Sequence, residues 1–297
     1  MRKAIRQYRD VAPYLLLGTV LTLIFAFYPM LKGIYMSFFD YNIINPSESE
    51  FLGLDNYTKL LHDAKFYSAL LNTIVFALVT VPGQWLIGLI LAIVINLKFI
   101  RFKVFFRAIY YVPVISSWVV VGYLFRYLFE SGSSGFINTL LVNLHILSTP
   151  VDWLQHTWTA NLVVWVVSIW KGIGYVMVLY LAALQSIPKS LYEAAEIDGA
   201  KGVQSYFYVT LPLMKPMTVF VFVNLIIGSM SYFLQVYLIT RGDPLYTTHS
   251  INSYLFKQAF DFFEFGYASA IAMVLGIIIF VLTYGFQRTF GKEKIEY

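Results

Sequence analysis

No cysteine occurs in the 297 residues, which excludes disulfides, thiolate metal sites and cysteine nucleophiles. Charge is also scarce. Asp, Glu, Lys and Arg together make up 12% of the chain, against roughly 25% in a soluble domain. No G-x-x-x-x-G-K-[ST] phosphate loop is present, so the chain has no such nucleotide site of its own. H-E-x-x-H and G-x-S-x-G are missing too, and with them the support for a zinc protease or a serine esterase. What is plentiful is apolar surface: 59% of residues are hydrophobic, 19% are aromatic, and the mean hydropathy is +0.69. That balance excludes a disordered chain, a nucleic-acid-binding domain and an ordinary cytosolic enzyme. It indicates an all-α polytopic membrane protein.

About 20 apolar residues in a helix cross a hydrocarbon core of about 30 Å. Six long runs meet that need: 11–31, 66–97, 108–125, 157–188, 216–240 and 265–287. Only Lys171 interrupts the fourth, and no alternating barrel pattern competes with helices. The first run is longer than the apolar stretch of a usual signal peptide and lacks a small-residue cleavage site, so it reads as an uncleaved span. Residues 11–289 then form one six-helix domain between short tails, 1–10 and 290–297.

Lys and Arg set the expected orientation. With the N-terminus inside, fourteen fall on the inner side: Arg2, Lys3, Arg6, Arg9, Lys98, Arg101, Lys103, Arg107, Lys189, Lys201, Lys215, Arg288, Lys292 and Lys294. Six fall outside: Lys32, Lys59, Lys65, Arg126, Arg241 and Lys257. Both termini are therefore expected in the cytoplasm of a cell-membrane protein. The net charge of +5 needs no nucleic-acid partner to explain it. His62, His145, His156 and His249 sit in outer loops without metal spacing, which favours solvated or packing roles.

The inner loop 185–215 is the least apolar part of the second half. Pro188 ends the fourth run. Ser190 and Glu193 have capping-box spacing, predicting a short helix from about Leu191. Gly199, after Asp198, can adopt the left-handed conformation that stops it. A second short helix is expected to reach about Thr210, before Pro212. Small Ala194 and Ala195 leave room for a partner surface.

Glu193-Ala194-Ala195, then Asp198-Gly199-Ala200, Leu211-Pro212 and Pro216, resemble the EAA loop of binding-protein-dependent ABC importer permeases. The likeness is to the carbohydrate-uptake branch, with its maltose-type and glycerol-phosphate-type members. Gly53-Leu54-Asp55-Asn56-Tyr57, Ala69-Leu70-Leu71-Asn72-Thr73, Leu181 to Gln185 within 170–188, Leu238-Ile239-Thr240 and Gly266 to Ala270 are similar to other stretches of that branch. The chain departs at Thr240-Arg241-Gly242-Asp243-Pro244, where the family often has Thr-Gly-Gly-Gly-Pro. It departs again at Leu234-Gln235, where many members carry an acid.

The resemblance implies a type I, MetI-like permease fold that does no bond chemistry itself. It implies a second homologous permease, two ATPase subunits holding ATP and Mg, an extracytoplasmic sugar-binding protein and a sugar cargo. Glu193, Ala194, Ala195, Asp198 and Gly199 are then the ATPase-docking residues, with Glu193 paired to a base on that subunit. Glycerol phosphate or a polyol is the alternative cargo, and an ion-coupled transporter or channel acting alone is a different class.

Lys171 is ionisable within a span. Such a group faces a path or a protein partner, or snorkels to the interface. Asn72, Gln84, Asn224, Ser229, Ser231, Tyr232 and Gln235 are polar within spans, and for most of them helix–helix hydrogen bonding suffices. Asn224, Ser229, Tyr232 and Gln235 lie on the fifth span, which lines the path in the family. With Lys171, they are the candidates for substrate contact.

Overall fold

The computed structural model describes residues 15–97, 99–200 and 202–291, leaving aside the Val203 side chain. Arg2, Lys3, Arg6, Arg9, Lys98, Lys201, Lys292, Lys294 and the start of the first apolar run lie outside the described residues. The elements are α1 (Leu15–Met36), β1 (Phe39–Asp40), β2 (Glu50–Phe51), α2 (Asp55–Leu61), α3 (Ala64–Asn96), α4 (Lys103–Ile115), α5 (Trp118–Leu128), α6 (Phe136–Asn143) and α7 (Thr157–Ser186). After these come α8 (Lys189–Ile197), α9 (Tyr206–Leu213), α10 (Lys215–Met230), α11 (Val236–Thr240), α12 (Ile251–Phe260) and α13 (Phe265–Phe290).

Among the described residues, α1, α3, α7 and α13 are each long and apolar enough to cross a membrane. They match the first, second, fourth and sixth apolar runs. The third and fifth runs are not single helices. The third is α4 plus α5, which meet at 93°. Pro113, near the end of α4, brings no backbone donor. Ser116 is extended, and Ser117 starts α5 by accepting the Val119 N–H on its Oγ at 3.2 Å. The fifth run begins with a 53° bend between α9 and α10, at the buried Met214 between Pro212 and Pro216. It then breaks again after Met230, before α11. Hydropathy sees composition, and these breaks are backbone events that leave it unchanged.

The chain divides into two compact units. In the first, residues 15–63 with 255–276, a hairpin pairs Phe39 with Phe51 and Asp40 with Glu50. Asn56 donates its side-chain amide to the carbonyls of Ser37 and Phe39, both at 3.0 Å. A Cβ at Gly266 would overlap the Phe39 carbonyl. Tyr267 donates to Asp63 at 2.5 Å, and Lys59 pairs with Glu264 at 2.5 Å. The separate motifs at 53–57 and 266–270 thus converge on one tie. α1 has no buried residue.

In the second unit, residues 64–254 with 277–291, α3 and α7 pack along their lengths. A Cβ at Gly88 would sit 2.6 Å from the Val176 Cβ, and one at Gly174 would overlap the carbonyl of Tyr110 on α4. Small residues let membrane helices approach this closely. The core between α3, α7 and α10 includes Leu89, Ala92, Val176, Met177, Tyr180 and Val221. A polar thread runs through it. Trp85 Nε1 donates to the Tyr180 hydroxyl, which donates to Thr218 Oγ1, each at 2.9 Å. Asn72 holds the Thr247 and His249 carbonyls at 2.7 and 3.0 Å. Thr73 Oγ1 accepts the Ile251 N–H at 3.0 Å, so the Asn72-Thr73 motif anchors the loop before α12.

Gly174→Ala is expected to lower the melting temperature of the solubilised protein, because overpacking a tight contact costs about 1–3 kcal/mol. Gly276→Ala, where a Cβ meets nothing within 4 Å, is the control. Equal melting curves for the two variants would refute this packing of α4 on α7.

Candidate functional sites

Between α7 and α10 the chain folds into a projecting helix and turn. Ile187 is extended before Pro188, as the proline ring demands. α8 then begins at Lys189, with Pro188 as its N-cap. Ser190 is therefore inside the helix, and the capping box expected between Ser190 and Glu193 does not form. The Glu193 carboxylate is left exposed, with no hydrogen bond or ion pair to it among the described residues.

The end of α8 is as expected. Gly199 has φ +88°. The Ala200 N–H reaches the Ala195 carbonyl at 2.8 Å, and the Gly199 N–H reaches Glu196 at 3.1 Å. These two bonds form a Schellman stop. The chain returns through the turn 203–205 and α9. α9 runs past Pro212 to Leu213, beyond the expected end near Thr210. Tyr192 and Thr210 share a hydrogen bond at 3.0 Å that ties α8 to the returning arm. No residue of α8 is buried, and Ile197 is 86% exposed. Glu193, Ala194, Asp198 and Gly199 are exposed, and Ala195 is half-buried. All five predicted docking residues thus sit on one held, unpartnered projection.

The second site is a cavity of about 400 Å³ inside the helical unit. Of the residues proposed from the sequence for substrate contact, Lys171, Asn224, Ser229 and Gln235 line it. Tyr232 does not. It is buried and stacked face to face on Phe76, with ring centres 3.8 Å apart, in the apolar cluster with Val163, Val167 and Ile239.

Gln84, polar within a span, lines the cavity too, together with Trp118, Tyr175, Ser116 and Ser168. A signal was available for two of them. Pro113 followed by Ser116-Ser117 marks a helix stop and restart, and that corner places Ser116 and Trp118 at the cavity wall.

Lys171 itself is buried. Its Nζ donates to the carbonyls of Pro113 at 2.6 Å, Val114 at 3.1 Å and Ser116 at 2.7 Å. It also lies 5.1 Å from the centre of the Trp118 ring. An ammonium has three protons to donate, and here three carbonyls at the end of α4 take them. The positive group also sits at the negative end of the helix dipole. Lys171 therefore pins the α4–α5 corner.

Comparison with known proteins identifies what kind of molecule carries these two features. The sequence profile of the family described as binding-protein-dependent transport system inner membrane component matches residues 62–293. The chain belongs to this family. It is similar to the probable ABC transporter permease protein YurN of Bacillus subtilis, 36% identical over 96% of this chain and 98% of that one. It is also similar to the arabinooligosaccharides transport system permease protein AraP of Halalkalibacterium halodurans, 35% identical over 93% of this chain and 86% of the relative. Among solved structures, a chain of a bacterial ABC transporter involved in import of the acidic polysaccharide alginate superposes with a TM-score of 0.84 and 24% identity, covering 99% of both chains. The permease is thus a multi-pass membrane protein with the MetI-like fold.

Proposed function

We propose that this permease is one of two such subunits in an ATP-driven importer of a carbohydrate. In this reading both termini lie in the cytoplasm. A second permease completes the path, an extracytoplasmic sugar-binding protein delivers the cargo, and two ATPase subunits bind ATP and Mg. α8 and its Gly199 stop seat in a cleft of one ATPase, where Glu193 pairs with a basic side chain. The Schellman bonds and the Tyr192–Thr210 tie let the projection move as one piece. Closing and opening of the ATPase pair then bias two packings of the helices, because each state makes different contacts with that lever.

The character of the cavity carries the cargo reading. Trp118 and Tyr175 offer aromatic rings, and Gln84, Asn224, Ser229 and Gln235 offer neutral donors and acceptors. That mixture suits a polyhydroxyl ligand. Lys171 is the only charged side chain in the lining among the described residues, and backbone carbonyls hold its protons. A phosphate ester would meet no available cation there, so a neutral sugar is favoured over glycerol phosphate. The similarity to an arabinooligosaccharides transport system permease points the same way.

The test is uptake into vesicles holding the assembled transporter with Mg-ATP inside. A neutral oligosaccharide delivered by the cognate binding protein should accumulate. Saturable accumulation of glycerol phosphate with exclusion of every neutral saccharide would overturn the cargo assignment.

A further inference from the structure

α5 and α11 border the Lys171 cavity at one end and a second, larger cavity at the other. α5 carries Trp118 into the first cavity and Tyr123, Arg126 and Tyr127 into the second. Gln235, one residue before α11, lines the first; Ile239 and Thr240 line the second. Between them α5 and α11 touch at Gly122 and Leu238, where a Cβ on Gly122 would lie 2.6 Å from the Leu238 Cβ. Gly122 and Leu238 thus form one close contact between the residues that line the two cavities. Eight residues separate Trp118 from Arg126, a rise of about 12 Å along one helix.

The second cavity has a volume of about 720 Å³, within the roughly 300–1,000 Å³ range of ligand sites. Two tyrosines, Tyr123 and Tyr127, supply ring faces. Arg126, Glu130, Gln155 and Asp243 supply charged and amide groups. Arg126 Nη1 is buried without a hydrogen-bond acceptor among the described residues. A buried N–H without an acceptor is destabilising, and a ligand oxygen reached by a small rotation of the guanidinium would satisfy it. The charges decide the ligand class. One guanidinium against two carboxylates leaves the lining net negative, so an acidic sugar would be repelled. Neutral hydroxyls donate to carboxylates and accept from guanidinium in the same site.

We propose that this cavity is a separate outer subsite for a neutral sugar ring, in line with the Lys171 cavity and divided from it by the Gly122–Leu238 contact. The proposal rests on the carbohydrate reading above. A longer saccharide occupies both cavities when that contact opens.

The chain has no cysteine, so single introduced thiols report each cavity separately. Ser131→Cys probes the second cavity and Ser116→Cys the first, both in vesicles with the complete transporter and cysteine-free partner subunits. Labelling by a small methanethiosulfonate is followed with arabinotriose, maltotriose, raffinose or trigalacturonate. The neutral saccharide that protects Ser116→Cys should also slow labelling of Ser131→Cys, by about tenfold at about ten times its Kd. Adding Arg126→Gln should remove protection at Ser131→Cys and leave it at Ser116→Cys, which also shows that the variant is folded. Protection of Ser116→Cys alone would overturn the subsite and spare the carbohydrate reading. So would protection of Ser131→Cys by trigalacturonate only, or protection there that ignores Arg126→Gln. Protection at neither position by any saccharide would defeat the carbohydrate reading, and the subsite with it.

Discussion

Glu193→Lys is expected to abolish ATP-driven uptake while the protein still inserts in the membrane at normal abundance. Two features of α8 lead to this result. The Glu193 carboxylate is exposed and makes no bond that stabilises its own helix among the described residues, so replacing it removes nothing from the fold. If it meets a base in an ATPase cleft, reversal leaves two cations facing each other across a desolvated contact. Losing one partner of such a pair costs about 2–5 kcal/mol. That weakens association with the ATPase by about 30-fold or more. Co-purification of the ATPase and sugar uptake should fall together. Glu193→Gln keeps the shape and should lie between the two. Normal uptake by Glu193→Lys would remove the docking role from this residue.

Lys171→Met is expected to lower both stability and transport. The substitution keeps most of the apolar stem and deletes the ammonium that serves three carbonyls at the α4–α5 corner. Removing the donor from such a cluster costs about 1–3 kcal/mol, and the loss of stability should be of that size. It should appear as a lower melting temperature of the purified permease with no sugar present. Lys171→Arg should rescue poorly, since a planar guanidinium cannot aim donors at a cluster that fits a compact ammonium. Were Lys171 a cargo contact instead, Lys171→Met would raise the apparent KM and leave the sugar-free melting temperature unchanged.

These two residues also mark how far the sequence could be read. The helix that carries Glu193 and its Gly199 stop were legible because the signals fell within one short loop, where local chemistry decides structure. The expected capping box does not form: with Pro188 as N-cap the helix starts two residues earlier, at Lys189, and Ser190 falls inside it. Lys171 was legible as unusual, yet its role was not. Its partners are carbonyls 55 to 58 positions away, and backbone acceptors leave no mark in side-chain patterning.

The same reasoning separates the runs that held from those that did not. α3, α7 and α13 follow their apolar runs to within a few residues, because a continuous helix is the default for such a run in lipid. The α4–α5 corner depends on the Ser117 cap and on Lys171, so apolar content could not reveal it. Tyr232, just after the break in the fifth run, packs its ring on Phe76. Gln84, Tyr175 and Trp118 became cavity residues only when three separate helices came together.

The account depends most on the claim that residues 190–211 pass on work done by another protein. The direct measurement is sugar uptake by vesicles containing this permease, its partner permease and the binding protein, with and without the ATPase subunits and Mg-ATP. Accumulation against a gradient is expected only when ATPase and nucleotide are both present. Equal accumulation without them would contradict it.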